Sequence, residues 1–217
     1  MATAGPSAMN TDLLTLTQWL SPAFPTGAFA WSHGLEALVA DGTVAGEAGF
    51  ARWLRDVLAE GVGRTDAVIL AAVLAGADAD EMADLGRALA PSAERLAETM
   101  GQGTAFARTL AEQGLALPDA PMPVVLGLAA RGLNVAPETV VSLYLQGFAT
   151  NLVQIAIRLS LVGQSRAQVI LTGLQPLIRE LATRAVGAEP ADIASFTPGA
   201  DLAAMRHETL DVRLWKS

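Results

Sequence analysis

Apolar residues recur at helical spacing along most of this chain. Leu13, Leu16 and Leu20 mark one face of a first helix, with Asn10 or Thr11 placed to cap it. Phe50, Leu54, Val57 and Gly61, with Trp53, form a second amphipathic run. Arg64, Thr65 and Asp66 open an apolar helix that continues to Leu74, and residues 76–80 read as its exit turn. From Glu81 to Glu112 the charges are mixed, with Asp84 and Arg87 one turn apart, which predicts a solvated face. Gly101 and Gly103 interrupt that stretch and predict a kink or a close helix approach. Pro118, Pro121 and Pro123 mark a linker too short to separate domains. Beyond it follow Val124 to Arg131, a long helix from Pro137, and another from about Ser165 to Val186 that Pro176 is expected to bend or break. No stretch in the body alternates with period two, and there is no internal repeat. The pattern predicts an all-α, single-domain bundle of roughly eight to ten helices over 11–198. A lead-in occupies 1–10, and an extended C-terminal tail occupies 199–217.

Two segments depart from this rhythm. Thr139 to Ile157 carries no charge and is about as long as a bilayer-spanning helix. Ser142, Gln146, Thr150 and Gln154 recur along it every fourth residue, with Asn151 alongside, and lipid would leave that polar stripe poorly satisfied. The expectation is a helix buried at the centre of a bundle outside the membrane, its amides meeting neighbouring helices or a subunit interface. The second segment, LSPAFPTGAFAWSHGLE at 20–36, places prolines, glycines, aromatics and a histidine between two helical patterns. Pro22 and Pro25 remove backbone donors, and Gly27 permits conformations closed to other residues, so the chain is forced through a shaped loop. Ser32 is predicted to cap the next helix, with Glu36 supporting the cap.

Composition narrows the function classes. The chain of 217 residues is 52% hydrophobic but 5% aromatic, so Ala, Leu and Val must fill its core as closely packed helices. It has no cysteine, which excludes disulfides and thiolate sites and fits a reducing, cytoplasmic location. A net charge of −8 argues against nucleic-acid binding. Lys216 is the one lysine, so no phosphate-binding G-x-x-x-x-G-K-[ST] loop exists.

Catalytic constellations are hard to find. His33 and Glu36 stand three apart on a predicted helix, where both could face one point and suggest an all-helical metalloenzyme. The competing reading is a capped helix with a hydrogen-bonded histidine, since His207 is the only other histidine. No Gly-x-Ser-x-Gly elbow and no thiol nucleophile is present. At the tail, Leu210, Val212 and Leu214 alternate with Thr209, Asp211 and Arg213 and lead to Trp215. An apolar, aromatic and arginine-bearing terminus predicts a segment that orders when a partner covers it.

Segment 20–36 resembles the signature near the start of the UreF family of urease accessory proteins, S-P-A-L-P-V-G-G-[FY]-[ST]-[HY]-S-[HQ]-G-L-E, with Phe24, Ala28 and Ala30 among its departures. Of these, Ala28 bears most on the loop if a glycine-like backbone is needed there. MPVVLGLAARGL is similar to the family's P-v-x-[FL]-G-x-A-A-x-x-G segment, whose small residues Gly127, Ala129, Ala130 and Gly132 would let helices approach. QIAIRLSLVGQ resembles x-x-A-V-K-L-x-P-L-G-Q, with Arg158 at the basic position and Gln164 at the glutamine. The ending FTPGADLAAMRHETLDVRLWKS is similar to F-x-P-x-x-D-[IL]-x-x-M-x-H-E-x-x-x-x-R-L-F-x-S. The resemblance implies a non-catalytic homodimeric adaptor without a cofactor of its own. It would join UreD (also called UreH) and the GTPase UreG, which binds GTP, to apo-urease for nickel insertion, and could modulate the UreG GTPase. It implies partner-binding roles for Met205, Arg206, His207, Glu208, Arg213, Leu214 and Trp215 in the tail. His33, Glu36, Arg158 and Gln164 would face partners from the body.

Overall fold

A computed structural model describes residues 11–216; the lead-in, the proposed cap at Asn10 and the motif's final Ser217 lie outside them. Ten α-helices follow one another among the described residues, with no strand: α1 Thr11–Trp19, α2 Leu35–Ala40, α3 Gly46–Ala59, α4 Val62–Ala75, α5 Ala79–Ala88, α6 Ala93–Ala111, α7 Met122–Ala130, α8 Pro137–Arg158, α9 Gln164–Val186 and α10 Pro198–His207. Short 3₁₀ turns lie at Ala28–Ala30 and Pro190–Asp192.

The helix enclosed on all sides is α4. Its residues from Ala67 to Val73 are all buried, and α3, α5, α7, α8 and α9 pack around it. An all-round apolar helix has no face to give to water, so the centre of the bundle is its stable place. The long helix α8 is different from what its uncharged run predicts. It is the one described helix long and apolar enough to cross a membrane, yet half of it is buried against the protein. Val141, Leu145, Leu152 and Ile155 face the core; Ser142, Gln146 and Thr150 are half-buried and Gln154 is exposed. The polar stripe therefore borders water, with Thr150 Oγ1 donating to the Gln146 carbonyl at 2.8 Å. Gln146 and Thr150 thus pair within their own helix.

Close approaches between elements use glycine, at Gly103 against backbone and at Gly127 against a side chain. A Cβ on Gly103 of α6 would stand 1.9 Å from the Ala120 carbonyl oxygen, and one on Gly127 of α7 would stand 2.6 Å from Val73 Cγ1. The helix α6 runs through both of its glycines without a break, so close approach, at Gly103, is the outcome there. α9 likewise continues through Pro176. That proline is exposed, so the carbonyl deprived of its donor lies on the solvent side, where water can serve it. Arg131 at the end of α7 donates to the Val73 and Ala77 carbonyls at 2.6 and 2.8 Å, closing the C-terminus of α4.

Candidate functional site

The shaped loop after α1 folds back on the aromatic core: Phe24 lies 5.2 Å from the Phe106 ring and Trp19 5.9 Å from it, edge-on. Gly27 takes the left-handed conformation at φ 72°, whereas Ala28 begins the 3₁₀ turn with negative φ. The alanine at 28 is thus no obstacle to the loop. With α8, the loop walls a cavity of about 200 Å³ lined by Phe24, Gln102, Tyr144, Phe148 and Asn151, among others.

The chain then turns into α2 later than the cap pattern predicts. His33 and Gly34 are both left-handed, at φ 59° and 75°, and the helix begins at Leu35. Ser32 still serves the first turn, its Oγ accepting the Glu36 N–H at 3.4 Å. Gly34 is required twice over: its φ is positive, and a Cβ there would stand 2.7 Å from the Ala204 nitrogen of α10. Because His33 precedes the helix, it and Glu36 do not share a face. Their side chains enter two different buried networks, which removes the geometric basis for a paired metal site.

In the first network, His33 Nδ1 meets Glu98 Oε2 at 3.2 Å, and its ring stands edge-on to Phe148. Arg95 Nη1 meets the same Glu98 oxygen at 3.2 Å and reaches Asp66 with Nη2 at 2.5 Å. Tyr144 donates to Asp66 at 2.6 Å, and Gln102 donates to Glu98 at 3.1 Å. Burial pushes the Glu98 carboxyl up, but Arg95 and His33 outweigh it and hold the group down to about 2. Burial would weaken the Arg95 charge, yet Asp66 and Glu98 keep its affinity for the proton above the usual range. Burial and the adjacent Asp66 push the Tyr144 hydroxyl well up, so it stays a neutral donor.

The second network holds the C-terminal segment. His207, at the end of α10, is fully buried between Glu36 and Glu94, with Nε2 and Nδ1 each 2.9 Å from a carboxylate oxygen. Arg213 donates to Glu94 at 2.9 Å, and Glu36 accepts the backbone N–H groups of Leu214 and Trp215 at 2.9 and 3.2 Å. Glu208 Oε1 takes the Ala93 N–H at 3.0 Å, an anion at the start of α6. Lys216 donates its backbone N–H to the Ala30 carbonyl at 2.7 Å and places its ammonium 5.4 Å from the centre of the Trp31 ring.

The predicted residues thus separate by place. Glu36, His207, Arg213, Leu214 and Trp215 come together, with Glu208 beside them. The family resemblance puts His33, Glu36 and His207 on partner-facing surface; they are instead buried and bind the chain to itself. The line at 198/199 falls inside α10, whose Ala203, Ala204 and His207 are buried, so that helix is part of the body. The tail beyond it is docked on its own protein by turns and bends, not as the extended segment its alternation predicts. Trp215 is half-buried against the core, while Val212 and Leu214 remain 79% and 75% exposed. Met205 and Arg206 are exposed on α10, and Gln164 is exposed at the start of α9. Arg158 is exposed at the end of α8, its guanidinium 3.4 Å from the Phe29 carbonyl. The mixed charges of 81–112 predict a solvated face, yet Glu94, Arg95 and Glu98 are buried. Counting toward the N-terminus of α6 from Leu110 through Phe106, Gly103 and Thr99 reaches Arg95, so the helical phase of the apolar stripe carries that signal.

The fold and its charged interior define an all-helical protein whose two buried networks pin its N-terminal loop and its C-terminal segment to one helix, α6. A sequence profile of the UreF family matches residues 44–175. The urease accessory protein UreF of Cereibacter sphaeroides (strain ATCC 17025) is 52% identical over 210 residues, covering 96% of this chain and all of the relative. That of Paracoccus denitrificans (strain Pd 1222) is 47% identical over 219 residues and the full length of both. The Brucella ovis protein of the same name is 42% identical over 95% of each chain. The chain belongs to the UreF family.

Proposed function

We propose that this chain is a non-catalytic urease accessory protein, an adaptor that joins UreD (UreH) and the GTPase UreG to apo-urease in the cytoplasm while nickel is inserted. It acts as a homodimer, with no affinity for nucleic acid or membrane. Nickel is the cargo of the assembly and GTP the ligand of UreG; the adaptor needs no cofactor. The observation that carries this reading is the C-terminal segment: its backbone, Arg213 and Trp215 are held by the body, which leaves Val212 and Leu214 facing outward. Apolar side chains presented on a fixed backbone suit a partner surface, because little ordering entropy remains to oppose association. Leu202 and Met205 extend the exposed apolar surface along α10. In this reading Arg158, exposed beside Phe29, offers its guanidinium to a second partner.

Sizing with light scattering on the chain, on the chain with UreD, and on both with GTP-loaded UreG tests the assembly. Val212→Asp and Leu214→Asp change exposed side chains that take no part in the contacts of Glu36 and Glu94 with the segment. They are expected to weaken UreD association by about 100-fold or more while leaving the melting curve unchanged. Full-affinity complexes with both variants would show that the segment is not the docking element. For the GTPase, Arg158→Ala separates two roles: loss of stimulation at saturating complex marks a direct contribution, and weaker affinity alone marks positioning.

A further inference from the structure

The ring of His207 has a carboxylate oxygen 2.9 Å from each nitrogen, Glu36 on one side and Glu94 on the other. A neutral imidazole has one N–H and one lone pair, so only the imidazolium donates to both. The charges around it agree. Glu36 faces it from α2, Glu94 from α6, and Arg213 arrives from the tail to bind Glu94. On its own element and just beyond, Arg206 and Glu208 are exposed, Arg206 lying near Asp41 and Glu208 engaged with the start of α6. Two carboxylates against one guanidinium leave one negative charge in the buried cluster, and the imidazolium cancels it.

Both carboxylates that His207 joins also hold the tail, Glu36 through the Leu214 and Trp215 amides and Glu94 through Arg213. We propose that His207 is a proton-operated latch for the C-terminal segment. With both nitrogens protonated it couples α2, α6 and α10 and keeps the segment seated. When one proton leaves to water, a lone pair faces a carboxylate, the cluster keeps an uncancelled negative charge, and the segment from Arg213 onward loosens. The device needs no assumption about what the segment docks against.

Hydrogen exchange measured by NMR on the full chain tests it directly. Protection factors of the Leu214 and Trp215 amides are followed across the titration of the His207 imidazole, with the Val125 amide as a core control. Protection of the two tail amides is expected to fall about tenfold or more as the imidazole loses its proton, while Val125 stays protected. His207→Gln should remove that dependence. Arg213→Met, at a partly exposed side chain that does not threaten the fold, should lower tail protection at every pH. Flat tail protection while His207 titrates would overturn the proposal. So would tail amides that exchange as fast as a free peptide throughout, or tail and core losing protection together.

Discussion

The first turns of α6 set the electrostatics of the whole interior, because Glu94, Arg95 and Glu98 all leave that helix toward buried partners on other elements. A buried charge is tolerable only when matched, and here each match also ties distant segments together. Glu98 carries a measurable consequence. Its carboxyl sits at about 2 in the folded chain against an ordinary 4.5. A depressed folded value contributes stability that is fully present above the unfolded value and is lost as pH falls toward the folded one. Thermal stability is therefore expected to fall steeply between about pH 5 and about pH 2. Glu98→Gln should lower stability at neutral pH yet flatten that acid slope; an unchanged slope would place the acid sensitivity elsewhere. The left-handed conformation of His33 is not legible from residue order, since a cap pattern at Ser32 fits a helix starting at either place. The later start follows from Gly34 lying against α10, a contact between residues far apart in sequence.

At the scale of elements, helix identity follows from local pattern and helix separation from single residues. Gly103 and Gly101 lie two apart on α6 and predict opposite results. A methyl group at Gly103 meets the Ala120 carbonyl, so Gly103→Ala is expected to destabilise by about 2 kcal/mol or more. Gly101 is exposed, and a methyl group there would have nothing within 4 Å, so Gly101→Ala should stabilise by about 0.5–1 kcal/mol. Denaturant titrations of the two variants check both signs; equal effects would mean that α6 does not press on the 118–121 linker. Residue order does not separate these two glycines, because spacing shows that a helix has a small residue but not which side a neighbour occupies. The same limit makes α8 the expected central helix. Hydropathy is nearly blind to which of two apolar helices is enclosed; the packing of five helices about α4 decides it.

For the whole molecule, the half-exposed flank of α8 and the exposed surface of α10 remain for contacts beyond the chain. The proposed homodimer predicts a light-scattering mass twice the 22.5 kDa of the chain, persisting on dilution to low micromolar concentration. A single-chain mass at every concentration would remove the dimer from the proposal. The candidate site is partly legible: the ending at 196–217 and the loop at 20–36 both stand out as segments with more chemistry than a core needs. Their meeting on one helix is not, since Glu36 and Trp215 lie at opposite ends of the chain.

Residue order alone settles the helical class, the succession of the elements and the family, because apolar periodicity, turn residues and extended motifs are properties of neighbouring residues. Three outcomes wait for the folded chain: His33 and Glu36 part company, α6 turns its charges inward, and the body holds the tail. Each depends on charge matching and steric contact between residues distant in sequence, and such contacts exist only once the chain has folded.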